Sequence, residues 1–150
     1  MSYEPLAHRL QTVAKVDGVR WVNDSKATNI DAARTGLLAM DRRAVVLLGG
    51  ESKGPGFAEL APLLSRHRGV VAFGGDGPEI ASELIAAGVD VTLVPSMDEA
   101  LACALEIADP GDAVLLSPGC ASFDAYDNFA QRGDVFRALA TARTDPTETP

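Results

Sequence analysis

The run A-V-V-L-L-G-G at Ala44–Gly50 decides the fold. Its apolar residues follow one another without the polar alternation of a half-solvated strand, and two glycines stop them. It reads as a strand buried on both faces that feeds a loop. Toward the C-terminus the pattern repeats. Val70–Phe73 ends in G-G-D-G at Gly74–Gly77, Val91–Val94 is a third strand, and Ala113–Leu116 is a fourth, before the long loop Ser117–Asn128. Helices are predicted between them: a short one over Phe57–Ser65, one begun at Pro78 and stopped at Gly88, and one opened by a capping box at Ser96–Glu99 that runs to about Ala108. A final helix runs from about Phe129 to near Ala142.

Toward the N-terminus, Leu10–Val16 and Val19–Asn23 are β-favouring runs separated by Asp17-Gly18, the signature of a type I′ hairpin in which both central residues take positive φ. A polar loop follows, then a helix over Ile30–Met40 with Asn29 as N-cap. Strands that alternate with helices of this length predict a three-layer αβα, Rossmann-like domain. Its sheet is mostly parallel, with an antiparallel N-terminal hairpin. One domain is expected over residues 1–143, with a disordered tail over 144–150 that has no apolar residue after Ala142 and two prolines.

A chain of 150 residues with 47% hydrophobic and 23% charged residues is long enough to build one core without disulfide staples. The apolar runs are far too short to span a bilayer, and no secretory signal pattern opens the chain. Its two cysteines, Cys103 and Cys120, have no metal-type spacing. A cytoplasmic location is expected. The net charge of −8 argues against nucleic acid or an anionic membrane as partner. It leaves room for a small anion met by one or two placed cations.

In open parallel sheets ligands bind beyond the carboxyl ends of the strands. Three polar loops fall there: Asp24–Asn29, Gly49–Gly56 and Ser117–Asn128. The first puts Lys26, Thr28 and free N–H groups at a helix start, which suits a carboxylate or phosphate. Asp24 suits a ribose hydroxyl, an amine or a neighbouring cation. The same loop reads equally as a helix cap with a solvated lysine. The second, G-G-E-S-K-G-P-G, carries Lys53 but lacks the G-x-x-x-x-G-K-[ST] order of a nucleotide cradle; alone it reads as a turn with a solvated lysine. In the third, Ser117 and Ser122 can hydrogen-bond a substrate, and Cys120 has no histidine in a dyad pattern, so it reads as small filler. Trp21 reads as a packing residue. Neither paired carboxylates nor metal-ligand spacings stand out.

Longer strings add a resemblance. L-A-H-R-L at Leu6–Leu10, V-R-W-V-N-D-S-K-A-T-N at Val19–Asn29, V-L-L-G-G-E-S-K at Val46–Lys53, L-L-S-P-G-C-A-S-F-D at Leu115–Asp124 and N-F-A-Q-R-G-D-V-F at Asn128–Phe136 resemble, in order, the C-terminal domain of the Mur ligases, in the branch that adds D-glutamate to UDP-N-acetylmuramoyl-L-alanine. The resemblance implies a three-domain ATP-dependent amide ligase of peptidoglycan precursor synthesis. In it the substrate carboxylate becomes an acyl phosphate that the D-glutamate amine attacks. It implies ATP and Mg2+ held mainly by a central domain that this chain lacks, and UDP-N-acetylmuramoyl-L-alanine held by another. By position, Lys26, Thr28, Lys53, Ser122 and Phe129 (through its backbone N–H) match the D-glutamate-binding positions. Arg9 and Asp24 match nucleotide-binding positions, with Asn23 beside them. No catalytic residue and no metal ligand is implied within this domain. Gly54-Pro55-Gly56 after Lys53 departs from the family pattern. The chain is expected to be an excised domain, or one piece of a split enzyme, and inactive alone. A free-standing amino-acid- or nucleotide-sensing module is the alternative.

Overall fold

The turn at Asp17-Gly18 shows how local chemistry sets the first element. Asp17 has φ 51° and Gly18 φ 80°, the pair of positive values that a type I′ turn demands. It joins β1 (Gln11–Val16) to β2 (Val19–Asn23) in antiparallel register, with Val16 opposite Val19. The computed structural model describes residues 8–52, 54–122 and 126–142; the expected disordered tail lies outside them.

After the hairpin come α1 (Ile30–Ala39), β3 (Ala44–Gly49), a 3₁₀ turn (Phe57–Leu60) running into α2 (Ala61–Leu64), β4 (Gly69–Phe73), α3 (Gly77–Ala86), β5 (Val91–Leu93), α4 (Met97–Ile107), β6 (Ala113–Leu116) and α5 (Phe129–Ala142). The sheet order is β1-β2-β6-β3-β4-β5. Every pairing except β1–β2 is parallel, so the fold is the expected α/β layering with its antiparallel hairpin at one edge.

The continuous apolar run of β3 divides by period two. Val46 and Leu48 face a core shared with Ala33 and Leu37 of α1, Leu64 of α2 and Ile80 and Leu84 of α3. Val45 and Leu47 face a second core with Leu101 of α4 and Phe136 of α5. Burial on both faces is why this strand has no polar alternation. Trp21 is fully buried in the second core against Phe136 (centroids 6.0 Å apart), the packing role expected of it.

Two local expectations are corrected. The segment predicted as a short helix over Phe57–Ser65 is a 3₁₀ turn followed by one α turn. Pro62 has no N–H to reach back to Ala58, so the tighter i→i−3 bonding that begins with Glu59 N–H to Gly56 O continues up to it. Ser96 takes the extended backbone of an N-cap, but its side chain makes no capping bond; it is exposed, so water can serve the first-turn N–H groups instead. The C-terminus of α3 ends as predicted. Gly88 has φ 90°, its N–H reaches Ile85 O, and Val89 N–H reaches Leu84 O, a Schellman arrangement. No helix among the described residues is long and apolar enough to cross a membrane.

Candidate functional site

Parallel pairing brings the ends of β2, β6 and β3 to one rim: Asn23 lies beside Leu116, and Leu116 beside Leu47. The loops that leave them are tied by backbone bonds. Asp24 N–H donates to Leu116 O (2.8 Å), Gly119 N–H to Ala27 O (2.8 Å) and Gly49 N–H to Pro118 O (3.2 Å), while Glu51 and Ala121 exchange both of their bonds. The convergence expected from sequence is therefore a hydrogen-bonded fact of the described loops.

Asp24 is the most unusual group on this rim. Its carboxylate is almost wholly buried, accepts the Ser117 hydroxyl at 2.8 Å on Oδ2 and accepts the Leu10 N–H at 3.2 Å on Oδ1. Burial pushes its pKa up to about 6, against the lowering effects of the Ser117 hydroxyl, the Leu10 N–H and the Arg9 charge. Room for the carboxylate comes from α1. A Cβ on Gly36 would lie 2.5 Å from Asp24 Oδ2 and 3.0 Å from Ser117 Oγ. A mid-helix glycine costs about 0.5–1 kcal/mol relative to alanine, and here that cost admits a buried carboxylate.

Arg9, Asp24, Lys26, Thr35 and Gly36 line a cleft of about 160 Å³. The segment bearing Arg9 is strained: His8 has φ 64° and Leu10 φ 46°, values that cost non-glycine residues roughly 1–3 kcal/mol each unless their surroundings impose them. Here they are imposed by the Leu10 N–H bond to Asp24 and by the Lys26 N–H bond to His8 O (3.0 Å).

Asn23 does not line this cleft. It is fully buried, its Oδ1 accepts the Ser25 N–H (3.0 Å), and its Nδ2 meets His8 Nδ1 (2.9 Å) and Gly133 O (3.4 Å). Its amide is occupied in holding the loop. Ser25 is a second internal tie. Its hydroxyl donates to Phe129 O (2.7 Å) and accepts from Arg132 Nε (2.9 Å), and its carbonyl accepts from Arg132 Nη2 (2.8 Å). The loop that carries Lys26 is thus fixed to the start of α5, where Asn128 caps the helix through the Gln131 N–H and Phe129 begins it. Lys26 and Thr28 are half-buried, and Asn29 caps α1 as predicted, accepting the Ala32 N–H at 2.8 Å.

Of the residues singled out from sequence, Arg9, Asp24 and Lys26 share one cleft. Thr28 follows the Ala27 carbonyl that Gly119 engages; Ser122, almost fully buried, follows the Glu51–Ala121 bridge; Phe129 is joined through Ser25. Lys53 lies outside the described residues. Ser117, read as a substrate contact, is instead fully buried with its hydroxyl on Asp24. Cys120 is buried, in keeping with loop packing. Among the described residues no group of three or more His, Cys, Asp or Glu side chains is placed to hold a metal ion. Sequence reasoning missed Gly36 and Arg132. A glycine inside the I-D-A-A-R-T-G-L-L-A helix was a visible signal for the first; an arginine on a helix gives none for the second.

A family model described as Mur ligase, glutamate ligase domain, matches residues 8–120. The chain is 41% identical over 140 residues to UDP-N-acetylmuramoylalanine–D-glutamate ligase of Chlamydia abortus and 44% identical over 138 residues to that of Salinibacter ruber. These alignments cover 93% and 91% of this chain but 33% and 30% of those proteins, so the chain spans about a third of the length of the relatives it matches. Among solved structures it resembles a bifunctional folylpolyglutamate synthase/dihydrofolate synthase from Yersinia pestis (TM-score 0.63, 20% identity, 90% of this chain and 31% of that one). It also resembles a bifunctional folylpolyglutamate synthase/dihydrofolate synthase with Mn, AMPPNP and L-glutamate bound (TM-score 0.60, 20% identity, 90% and 32%). A domain of a putative UDP-N-acetylmuramate:L-alanyl-γ-D-glutamyl-meso-diaminopimelate ligase from Haemophilus ducreyi gives TM-score 0.54 at 22% identity, covering 91% of this chain and all of that one. At these identities the structural likeness speaks to the fold.

Proposed function

The chain belongs to the Mur ligase family, as its glutamate ligase domain, and from that premise we propose that it receives D-glutamate for an ATP-dependent ligase that joins it to UDP-N-acetylmuramoyl-L-alanine. The observation that carries the reading is the tying of the Asp24–Asn29 loop to the Ser117–Ser122 loop and to the start of α5. It gathers Lys26, Thr28, Ser122 and Phe129 at one rim. A dicarboxylate is met well by lysine ammonium groups, hydroxyls and a helix-start N–H, and Lys53 adds the second cation. The names of the relatives that are 41% and 44% identical support D-glutamate as the amino acid.

Arg9 and Asp24 face the nucleotide in this reading, and Asn23 stands behind them as the scaffold of their loop. Their cleft of about 160 Å³ is smaller than the roughly 300–1,000 Å³ of pockets that enclose whole small molecules. It fits an edge of ATP, with Asp24 accepting from a ribose hydroxyl and Arg9 near phosphate. ATP, with its divalent metal, supplies the phosphoryl group that converts the acceptor carboxylate into an acyl phosphate with phosphate as leaving group. This domain holds the glutamate so that its amine meets that carbonyl carbon, forming C–N as C–O breaks. With no P-loop in its sequence and no metal cluster among its described residues, the chain alone is expected to be inactive.

Titrating the ¹⁵N-labelled chain with D-glutamate tests this. Amide shifts are expected at Lys26, Thr28, Ser122 and Phe129, with weak affinity because this domain alone presents only part of the proposed ligase site. An absence of shifts at all four would refute the reading, and ATP-dependent turnover by the chain alone would refute its dependence on other domains.

A further inference from the structure

Two loops at the amino end of the sheet border a cleft that the site described above does not use. Residues 40–43 lead from α1 into β3, and residues 65–68 lead from α2 into β4. Backbone bonds fix both. Arg68 N–H donates to Ala44 O (2.8 Å), Arg66 N–H to Leu63 O (3.1 Å) and Ala113 N–H to Arg43 O (2.9 Å). His67 joins the loops by accepting the Ala44 N–H on Nδ1 at 3.1 Å. The cleft has a volume of about 310 Å³, against about 160 Å³ for the one beside Asp24.

Its lining is of two kinds. Leu37, Leu38, Met40 and Leu63 are apolar, and Arg42, Arg43 and Arg66 are cations. The carboxylates nearby are already engaged: Asp41 accepts Arg42 Nε at 3.2 Å, and Asp109 and Asp112 meet Arg68 at 3.5 and 2.8 Å. Arg43 and Arg66 have no ion-pair partner among the described residues. Arg20 lines an adjoining cleft that shares Met40 and Asp41 with this one. In a chain of net charge −8, this end therefore carries local positive charge. The negative ends of α1 and α2 attract cations, which accounts for arginines here. It does not account for Leu38, left 63% exposed in the same cleft, more than any other large apolar side chain among the described residues. Aliphatic surface bordered by unpaired guanidiniums complements an apolar side chain flanked by carboxylates. Nucleic acid fits it less well, because no phenylalanine, tyrosine or tryptophan lines the cleft for bases to stack on.

We propose that this cleft docks an acidic segment of a separate protein, which seats an apolar side chain against Leu38 and Met40 and pairs its carboxylates with Arg43 and Arg66. The rim described above lies at the opposite end of the strands, so a partner held here leaves it open. The other domains of the ligase meet the chain at that rim in the functional reading, and so they are not the occupant. The docking itself does not depend on which amino acid the rim accepts.

The test titrates the whole ¹⁵N-labelled chain with acidic pentapeptides, Asp-Glu-X-Glu-Asp with Leu, Ile, Phe or Trp at the centre. A glycine-centred peptide and peptides with lysine in place of every acid serve as controls. At least one of the four is expected to give saturable shifts at the amides of Leu38, Met40, Arg43 and Arg66, and none at Lys26 or Ser122. Raising NaCl from about 50 to about 500 mM should weaken that binding at least about fivefold. Arg43→Glu combined with Arg66→Glu should weaken it at least about tenfold, and Leu38→Ser about fivefold. Tm should hold in both variants, because all three side chains are exposed. The glycine-centred and lysine peptides should bind more weakly than the best acidic one. The absence of shifts at the cleft with all four acidic peptides, or shifts at Lys26 and Ser122 in their place, would overturn the proposal. So would an unchanged Kd in the charge-reversed variant, equal binding of the lysine peptides, or tighter binding of a uridine octanucleotide at the same amides. None of these results bears on whether the chain binds D-glutamate, which the titration under the functional reading decides separately.

Discussion

Two aspartates, almost equally inaccessible, mark the two ends of the sheet. Asp24 is 4% exposed at the carboxyl rim and Asp112 is 5% exposed at the amino end. Burial raises the pKa of each. At Asp112 it is outweighed by the Arg68 guanidinium (2.8 Å), the Asp109 N–H (2.9 Å) and the nearby Arg43 charge, so the carboxyl falls below its ordinary value. At Asp24 a hydroxyl, a backbone N–H and the charge of Arg9 do not offset burial. A buried carboxylate at the structural end is given a cation in contact. At the site it is left under-compensated, with a cleft in front of it, and perturbed groups facing clefts are where function concentrates.

The largest test of this contrast is charge removal. Asp24 has its folded pKa raised above its unfolded value, so its contribution to stability is fully present below about pH 4 and is lost as pH rises through about 6. Asp24→Asn should therefore stabilise the chain at pH 8 by up to about 3 kcal/mol and flatten the pH dependence between 4 and 6, as measured by urea unfolding across pH. Loss of stability at pH 8 would show that the carboxylate is better compensated than the geometry indicates.

Gly36→Ala comes next. Helix propensity alone predicts a gain of up to about 1 kcal/mol. The overlap with Asp24 and Ser117 predicts a net loss of about 2 kcal/mol, the scale of overpacking. Urea unfolding reads the sign directly, and a gain would mean that the aspartate has room to move. Smallest is Asp112→Asn. Its folded pKa is lowered, so its contribution is present above the unfolded value and lost as pH falls through the folded one. The substitution should lower Tm by about 3 °C at pH 7, opposite in sign to Asp24→Asn, and an unchanged Tm would make the Arg68 pair inert.

What the sequence displayed was whatever depends on near neighbours. The hairpin, the Asn29 cap, the Gly88 stop and the span of α5 follow from residues within a few positions of one another, and the structure has them where the sequence put them. The short segment at Phe57–Leu64 was misread because Pro62 acts through a missing hydrogen bond that composition does not register. The rim itself was legible, since polar loops after apolar strands must converge in a parallel sheet. Its internal scaffolding was not. Arg132 holds Ser25 across 107 positions, and Ser117 holds Asp24 across 93. Bonds over such separations leave no local signature, so Ser117 looked like a substrate contact and Arg132 was not singled out at all.

The central claim, that this rim accepts D-glutamate through Lys26, is tested most directly by calorimetric titration of wild-type and Lys26→Ala chains with D-glutamate and with L-glutamate. The account predicts weak, saturable binding of D-glutamate by the wild type, weaker binding of L-glutamate, and a loss of at least about tenfold on removing a charge-assisted contact to a carboxylate. Equal binding of D-glutamate by the two chains would contradict it.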